Sequence, residues 1–109
     1  MIINFDEMAE SINNNFKGGE KTFFAKIEND GINKIMKGRL PQGASIGMHT
    51  HYNDSEIIYI LEGEGVVIFD GVEIPLRPGM AHYCPKGHDH SLINPNLPDL
   101  KFFAVVVTQ

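Results

Sequence analysis

From Thr22 onward the chain is a series of short apolar runs separated by turn residues. Side chains two apart on an extended strand share a face, so runs of this length rich in β-branched and aromatic residues read as strands. Thr22 to Glu28 carries Phe23, Phe24 and Ile27 and predicts the first strand. Asp30-Gly31 predicts a two-residue hairpin into Ile32–Leu40, because both residues tolerate positive φ. Pro41-Gln42-Gly43 turns the chain again, and Ile57 to Leu61 resumes it as a strand. A second Asp-Gly pair, Asp70-Gly71, joins Val66–Phe69 to Val72–Leu76, where Pro75 predicts an edge or a bulge. Pro78-Gly79 and Pro85-Lys86-Gly87 bracket an extended Met80–Cys84, and His90–Asn94 follows. Leu100 to Val107 has the strongest β propensity of the chain and is expected to close the sheet.

The N-terminal segment differs. Ile2 and Ile3 predict a short strand. Phe5, Met8 and Ile12, at i, i+3 and i+7, then predict a short amphipathic helix within Asn4–Asn14. Asn4 followed by Glu7 fits its N-cap, and Asn13-Asn14-Asn15 with Gly18-Gly19 fits its end. The expected fold is therefore all-β, a single-domain antiparallel β-sandwich or jelly-roll barrel over residues 1–109 with a short N-terminal helix.

Composition narrows the function classes. A chain of 109 residues with 42% hydrophobic and 21% charged residues has the balance of one folded domain, not of a disordered segment. The formal net charge of −5 and the lack of a Lys/Arg cluster argue against nucleic acid as a partner. No apolar run approaches the ~20 residues that span a bilayer, so no membrane role is expected. The N-terminus has no basic region ahead of an apolar run, which argues against a secretory signal. With Cys84 the single cysteine, the expected location is the reducing cytoplasm.

All five histidines lie in the central stretch. His49 and His51, two apart on an extended segment, can aim two imidazoles at one ion. Glu56 follows the polar run Tyr52-Asn53-Asp54-Ser55 and brings a carboxylate near the start of the next strand, while His90 must arrive from a distant strand. His82 and Cys84 share one face of their strand. If that face is internal, His82 is a candidate general base or a partner to a metal ligand, and Cys84 a soft ligand or a small buried hydrophobe. Tyr59 is a second candidate for contact with a bound molecule. Arg39 either holds an anionic substrate or is solvated. His88 reads as exposed, and Met36, Met48 and Met80 as core filler.

The spacing of these residues resembles the two motifs of the cupin superfamily of small conserved β-barrels. Gly43, His49, His51, Glu56 and Gly63 fill the first motif (43–63), with four residues between His51 and Glu56. Gly79, Pro85, Gly87, His90 and Asn94 fill the second (79–94). The resemblance implies that His49, His51, Glu56 and His90 hold one divalent transition-metal ion per chain, whether Fe, Mn, Ni or Zn. It also implies a homodimer, for which the strand 100–107 and the apolar N-terminus are candidate surfaces.

The fold alone does not give the reaction. The expected function is a metal-dependent enzyme acting on a small molecule inside the barrel, with oxygenase-like chemistry. The alternatives are a non-redox isomerase or lyase on a sugar- or acid-like substrate, and a non-catalytic cupin that binds a small ligand. Three imidazoles and a carboxylate leave one or two positions on a six-coordinate ion, which suits each of these.

Overall fold

A computed structural model describes residues 1–109. Ten strands account for most of the chain: β1 (Ser11–Asn14), β2 (Thr22–Asn29), β3 (Asn33–Leu40), β4 (Ser45–Thr50), β5 (Asp54–Glu62), β6 (Gly65–Phe69), β7 (Val72–Leu76), β8 (Ala81–Cys84), β9 (Asp89–Ile93) and β10 (Leu100–Thr108). They form a six-stranded sheet in the order β1-β2-β3-β10-β5-β8 and a four-stranded sheet in the order β4-β9-β6-β7. Every pairing is antiparallel, and the two sheets face each other as a jelly-roll barrel.

Alternation decides which residues fill the space between the sheets. Phe23 and Ala25 on β2, Met36 and Leu40 on β3, Ile58 and Ile60 on β5, and Leu100, Phe102 and Ala104 on β10 are all buried. They belong to a cluster of 14 core residues that also takes Ile46, Val67 and Leu92 from the smaller sheet. Phe23 and Phe102 stack with ring centroids 5.9 Å apart. The odd positions of β5, Ile57, Tyr59 and Leu61, face outward and stay exposed.

The N-terminal helix is not formed. Asn4 Oδ1 accepts from the Asp6 backbone N–H as expected of a cap, but the turn it opens is a 3₁₀ turn of three residues, Phe5–Glu7. Met8 is already extended, and Ser11–Asn14 pairs with Ala25–Thr22 of β2. The ladder outcompetes a segment of weak helix formers, and side chains lock it: Ser11 Oγ donates to the Ala25 carbonyl and Asn13 Nδ2 to that of Phe23. Ile12 is exposed, so the periodic apolar positions never marked a core face. Ile2 and Ile3 lie in no strand.

The two Asp-Gly turns also part company. Asp70 and Gly71 take φ of 48° and 81° and join Phe69 to its partner Val72 directly, a two-residue turn as expected. At Asp30-Gly31 the first paired residues are Asn29 and Lys34, so the loop holds four residues. Asp30 Oδ1 accepts from the N–H groups of both Ile32 and Asn33, and that Asx-type turn makes the wider loop. Pro75 does sit on the edge strand β7. By contrast β10 does not close the sheet: it lies between β3 and β5, so it offers no free edge to a partner.

Candidate metal centre

The site forms where β4 and β9 of the smaller sheet meet β5 of the larger one. A register irregularity between Ile46 and His49 on β4 sets His49 opposite His90 on β9. His51 lies just past the end of β4, where its N–H donates to the His88 carbonyl and its carbonyl accepts from Gly87 N–H. Glu56 enters from β5 on the same inward row as Ile58 and Ile60. Gly47 permits the close approach beneath β4. A Cβ there would stand 2.1 Å from the Lys17 carbonyl oxygen, so only glycine lets the 3₁₀ turn Phe16–Gly18 pack on this strand.

The four motif residues converge on one point. His90 Nε2 is 2.9 Å from His51 Nε2 and 3.1 Å from His49 Nε2. Glu56 Oε1 is 3.0 Å from His90 Nε2 and 3.3 Å from His51 Nε2. All four donor atoms lie within 4.8 Å of one another. Neighbouring donors ~2.1 Å from a shared ion at right angles are about 3 Å apart, so the set has the dimensions of a coordination sphere.

Each imidazole is oriented by its other nitrogen. His49 Nδ1 lies 2.7 Å from the Gly47 carbonyl, which can only accept, so that nitrogen carries the proton. His51 Nδ1 meets Asp54 Oδ1 at 2.5 Å and donates to it in the same way. His90 Nδ1 is 3.0 Å from His82 Nε2. Burial, then the nearby His90, depress the His82 imidazole to about 4, and the neutral ring can accept a hydrogen bond from His90 Nδ1. With their Nδ1 sides so engaged, the three rings turn their Nε2 atoms toward one another and toward a carboxylate. That arrangement is repulsive unless a cation or shared protons occupy the centre, and it fits a metal ion.

Without an ion the electrostatics show protons standing in. Burial alone pushes the Glu56 carboxyl up, but hydrogen bonds from His51 and His90 outweigh it and hold the group at about 2. The Glu56 contact raises the His51 imidazole; desolvation opposes it and Asp54 assists. Desolvation lowers His49. The depressed Glu56 contributes stability above its ordinary 4.5 that is lost as pH falls toward about 2. The raised His51 contributes stability below its ordinary 6.5 that is lost as pH rises through its folded-state value. The metal-free protein is therefore expected to lose stability on the acid side in two stages, below about 6.5 as the depressed His49 and His82 resist protons that the unfolded chain takes up, and below about 4.5 as Glu56 does, with Glu56→Gln flattening the second stage. Urea midpoints across pH check this; an acid limb that Glu56→Gln leaves unchanged contradicts it.

A cavity of about 440 Å³ opens beside the centre, lined in part by His49, His51 and Glu56. His90, only 2% exposed, closes the back of the donor set and does not reach the cavity. The parity question on β8 is resolved inward: His82 and Cys84 are both buried. His82 lies against the Nδ1 side of His90 and does not line the cavity. Cys84 is fully buried and its thiol is pushed up to about 12 by desolvation, the state of a small buried hydrophobe rather than a ready thiolate. Tyr59 is not part of the site, because its odd position on β5 faces away from the barrel interior. Arg39 is also outside. It makes a two-pronged pair with Glu10, a further bond to Asp99 at 3.0 Å, and stacks on Phe24 at 3.9 Å. His88 is exposed and paired with Asp70 at 2.5 Å. Asn94, fully buried, donates from Nδ2 to the Leu40 carbonyl at 2.7 Å and so fixes backbone.

Sequence reasoning missed Asp54, which it read as part of a spacer, although a carboxylate three residues past a candidate ligand histidine is a readable signal. It also missed the cavity wall, since no pattern in the sequence separates a core position from a cavity position.

Residues 36–106 match the family model described as Cupin domain. The chain belongs to the cupin family. Among curated proteins this cupin is 41% identical over 69 residues to the oxalate-binding protein of Thermotoga maritima, an alignment covering 63% of this chain and 57% of that one. It is 34% identical over 55 residues to the uncharacterized protein MJ1618 of Methanocaldococcus jannaschii, covering 50% and 44% of the two chains. The matched region thus spans about half the length of these relatives. Among solved structures, a predicted oxalate decarboxylase from Thermotoga maritima superposes with a TM-score of 0.93 at 29% identity, covering 100% of both chains. A sugar phosphate isomerase of the cupin superfamily from Silicibacter pomeroyi follows the same fold, with a TM-score of 0.82 at 21% identity over 100% of this chain and 76% of that one. No helix of this cupin is long and apolar enough to cross a membrane.

Proposed function

We propose that this cupin holds one divalent transition-metal ion on His49, His51, Glu56 and His90 and uses it to capture a small metal-chelating carboxylate of the oxalate class. The observation that carries the reading is the convergence of three imidazole Nε2 atoms and Glu56 Oε1 on one point at the edge of an open cavity. When bound, such an ion supplies Lewis acidity and open positions for a bidentate oxygen ligand. The chain's part is to orient the donors. Gly47, Asp54 and His82 each hold one imidazole by its outer nitrogen, and His90 seals the side away from the cavity. The oxalate-binding relative supports the ligand class.

The cavity wall bears on the reaction. Apart from the ligands, its only acid is Asp54, which is committed to His51. No free imidazole or carboxylate faces a bound molecule, which disfavours acid–base isomerisation and favours capture or chemistry centred on the ion. The expected oxygenase-like activity is the second reading, favoured by the three-imidazole, one-carboxylate donor set. In the same reading the chain is one barrel unit working in the cytoplasm. Two copies then pair through the outer face of the larger sheet, where Ile57, Tyr59, Leu61 and Tyr83 stay exposed, rather than through terminal strands.

Calorimetric titration tests the reading. Oxalate is expected to bind the manganese-loaded protein with a Kd below about 100 µM and not to bind the metal-free protein. Equal binding to both forms would contradict it.

A further inference from the structure

We infer that the preferred ligand of this site is not oxalate itself but a 2-oxo carboxylic acid with an apolar substituent, its acid end on the metal and its chain or ring in the cavity. The inference rests on the metal-dependent capture proposed above and concerns what the rest of the cavity accepts.

The cavity has two chemically different ends. One is the donor set. From there the wall that keeps exposed surface is Ile27 and Val106, with Phe16 leaning in from the 3₁₀ turn that Gly47 admits, and the buried core residues Phe23, Met36 and Ile46 stand directly behind them. These side chains come from both sheets, and most lie on the inward rows that elsewhere pack solidly as core. Here the row on β2 ends in Ile27 and Asn29, and the row on β3 in Met36 and Lys34. The sandwich opens between them instead of closing. A dicarboxylate with no carbon chain has nothing to place against such a wall and leaves it wet. An apolar substituent gains by covering it, about 0.8 kcal/mol or roughly fourfold for each methylene buried.

Charge at the open end agrees. Lys17 and Lys34 line the cavity and are exposed, giving two cations at the rim of a protein whose formal net charge is −5. Both can draw an anionic ligand in. A 2-oxo acid keeps the chelating pair that oxalate offers, one carboxylate oxygen and the adjacent carbonyl oxygen, while carrying the substituent that the wall accommodates.

Isothermal titration of the manganese-loaded protein with oxalate, pyruvate and phenylpyruvate tests this, with manganese content measured on the same sample. Phenylpyruvate is expected to bind at least about tenfold tighter than pyruvate and tighter than oxalate. Ile27→Asn is expected to cut phenylpyruvate affinity about tenfold while leaving oxalate and manganese binding within about twofold. A protein that loads manganese and binds oxalate, yet holds phenylpyruvate no better than pyruvate, overturns the inference and leaves the metal-dependent capture standing. A protein that loads no manganese overturns both.

Discussion

His51→Ala is expected to lower metal affinity by more than about 100-fold while the barrel still folds. Partners that merely orient a metal-bound histidine typically account for 10–100-fold, so losing a donor atom should exceed that range. The fold should survive, because none of the 14 core residues is a ligand and the sheet pairings run through backbone. The metal-free variant should nevertheless be less stable. His51 is one of two imidazoles that hold the Glu56 carboxylate in its charged form inside the protein. Removing a hydrogen bond to a buried charge costs about 1.5–3 kcal/mol, which for a domain of this size is roughly 10 °C in melting temperature. Adding Glu56→Gln to His51→Ala removes the exposed liability and should recover part of that loss, since an unpaired buried charge is worse than a neutral group of the same shape. Competition with a fluorescent chelator and thermal melts of the metal-free proteins read the two effects separately. A His51→Ala protein with native metal affinity would sink the assigned ligand set.

Phe102→Ala should have the largest effect on stability. Phe102 is fully buried on the central strand β10, stacks on Phe23 with an interplanar angle of 12°, and lies directly over Gly38 of β3, its register partner. A Cβ on Gly38 would meet the Phe102 ring at 2.6 Å, so the ring covers the space that this residue leaves free. Truncation opens a void against three strands that cannot collapse without breaking register. The expected cost is about 3–5 kcal/mol, or roughly 15–25 °C, measured on metal-free protein so that ion binding does not mask it. A shift below about 5 °C would mean that the two-sheet core is not what holds the barrel together.

Much of this was legible in the sequence, and the reasons differ by region. Strand after strand followed alternation and turn chemistry, and the clustering of His49, His51, Glu56 and His90 followed fixed spacing, because bringing β4, β5 and β9 together imposes fixed intervals on the chain. The N-terminal segment misled because Phe5, Met8 and Ile12 mimic a helical period, whereas Ser11–Asn14 had a ladder partner that local pattern does not reveal. Tyr59 and Arg39 were left open for another reason. Residue type suggested chemistry, but strand parity sends both side chains out of the barrel. His82 faces inward, as one of the two parities allowed, but its place beside His90 and off the cavity wall depends on distances that parity does not give. The cavity was not legible at all, since Ile27, Met36 and Val106 read as core until the sheets are seen to part beside them.

The central claim is that His49, His51, Glu56 and His90 form a metal site, and elemental analysis of untagged protein tests it most directly. Protein purified anaerobically, then loaded with manganese, iron, nickel or zinc and desalted, should retain about one ion per chain of at least one of these metals. Failure to retain any of them, in a protein that melts cooperatively and is therefore folded, would contradict the account.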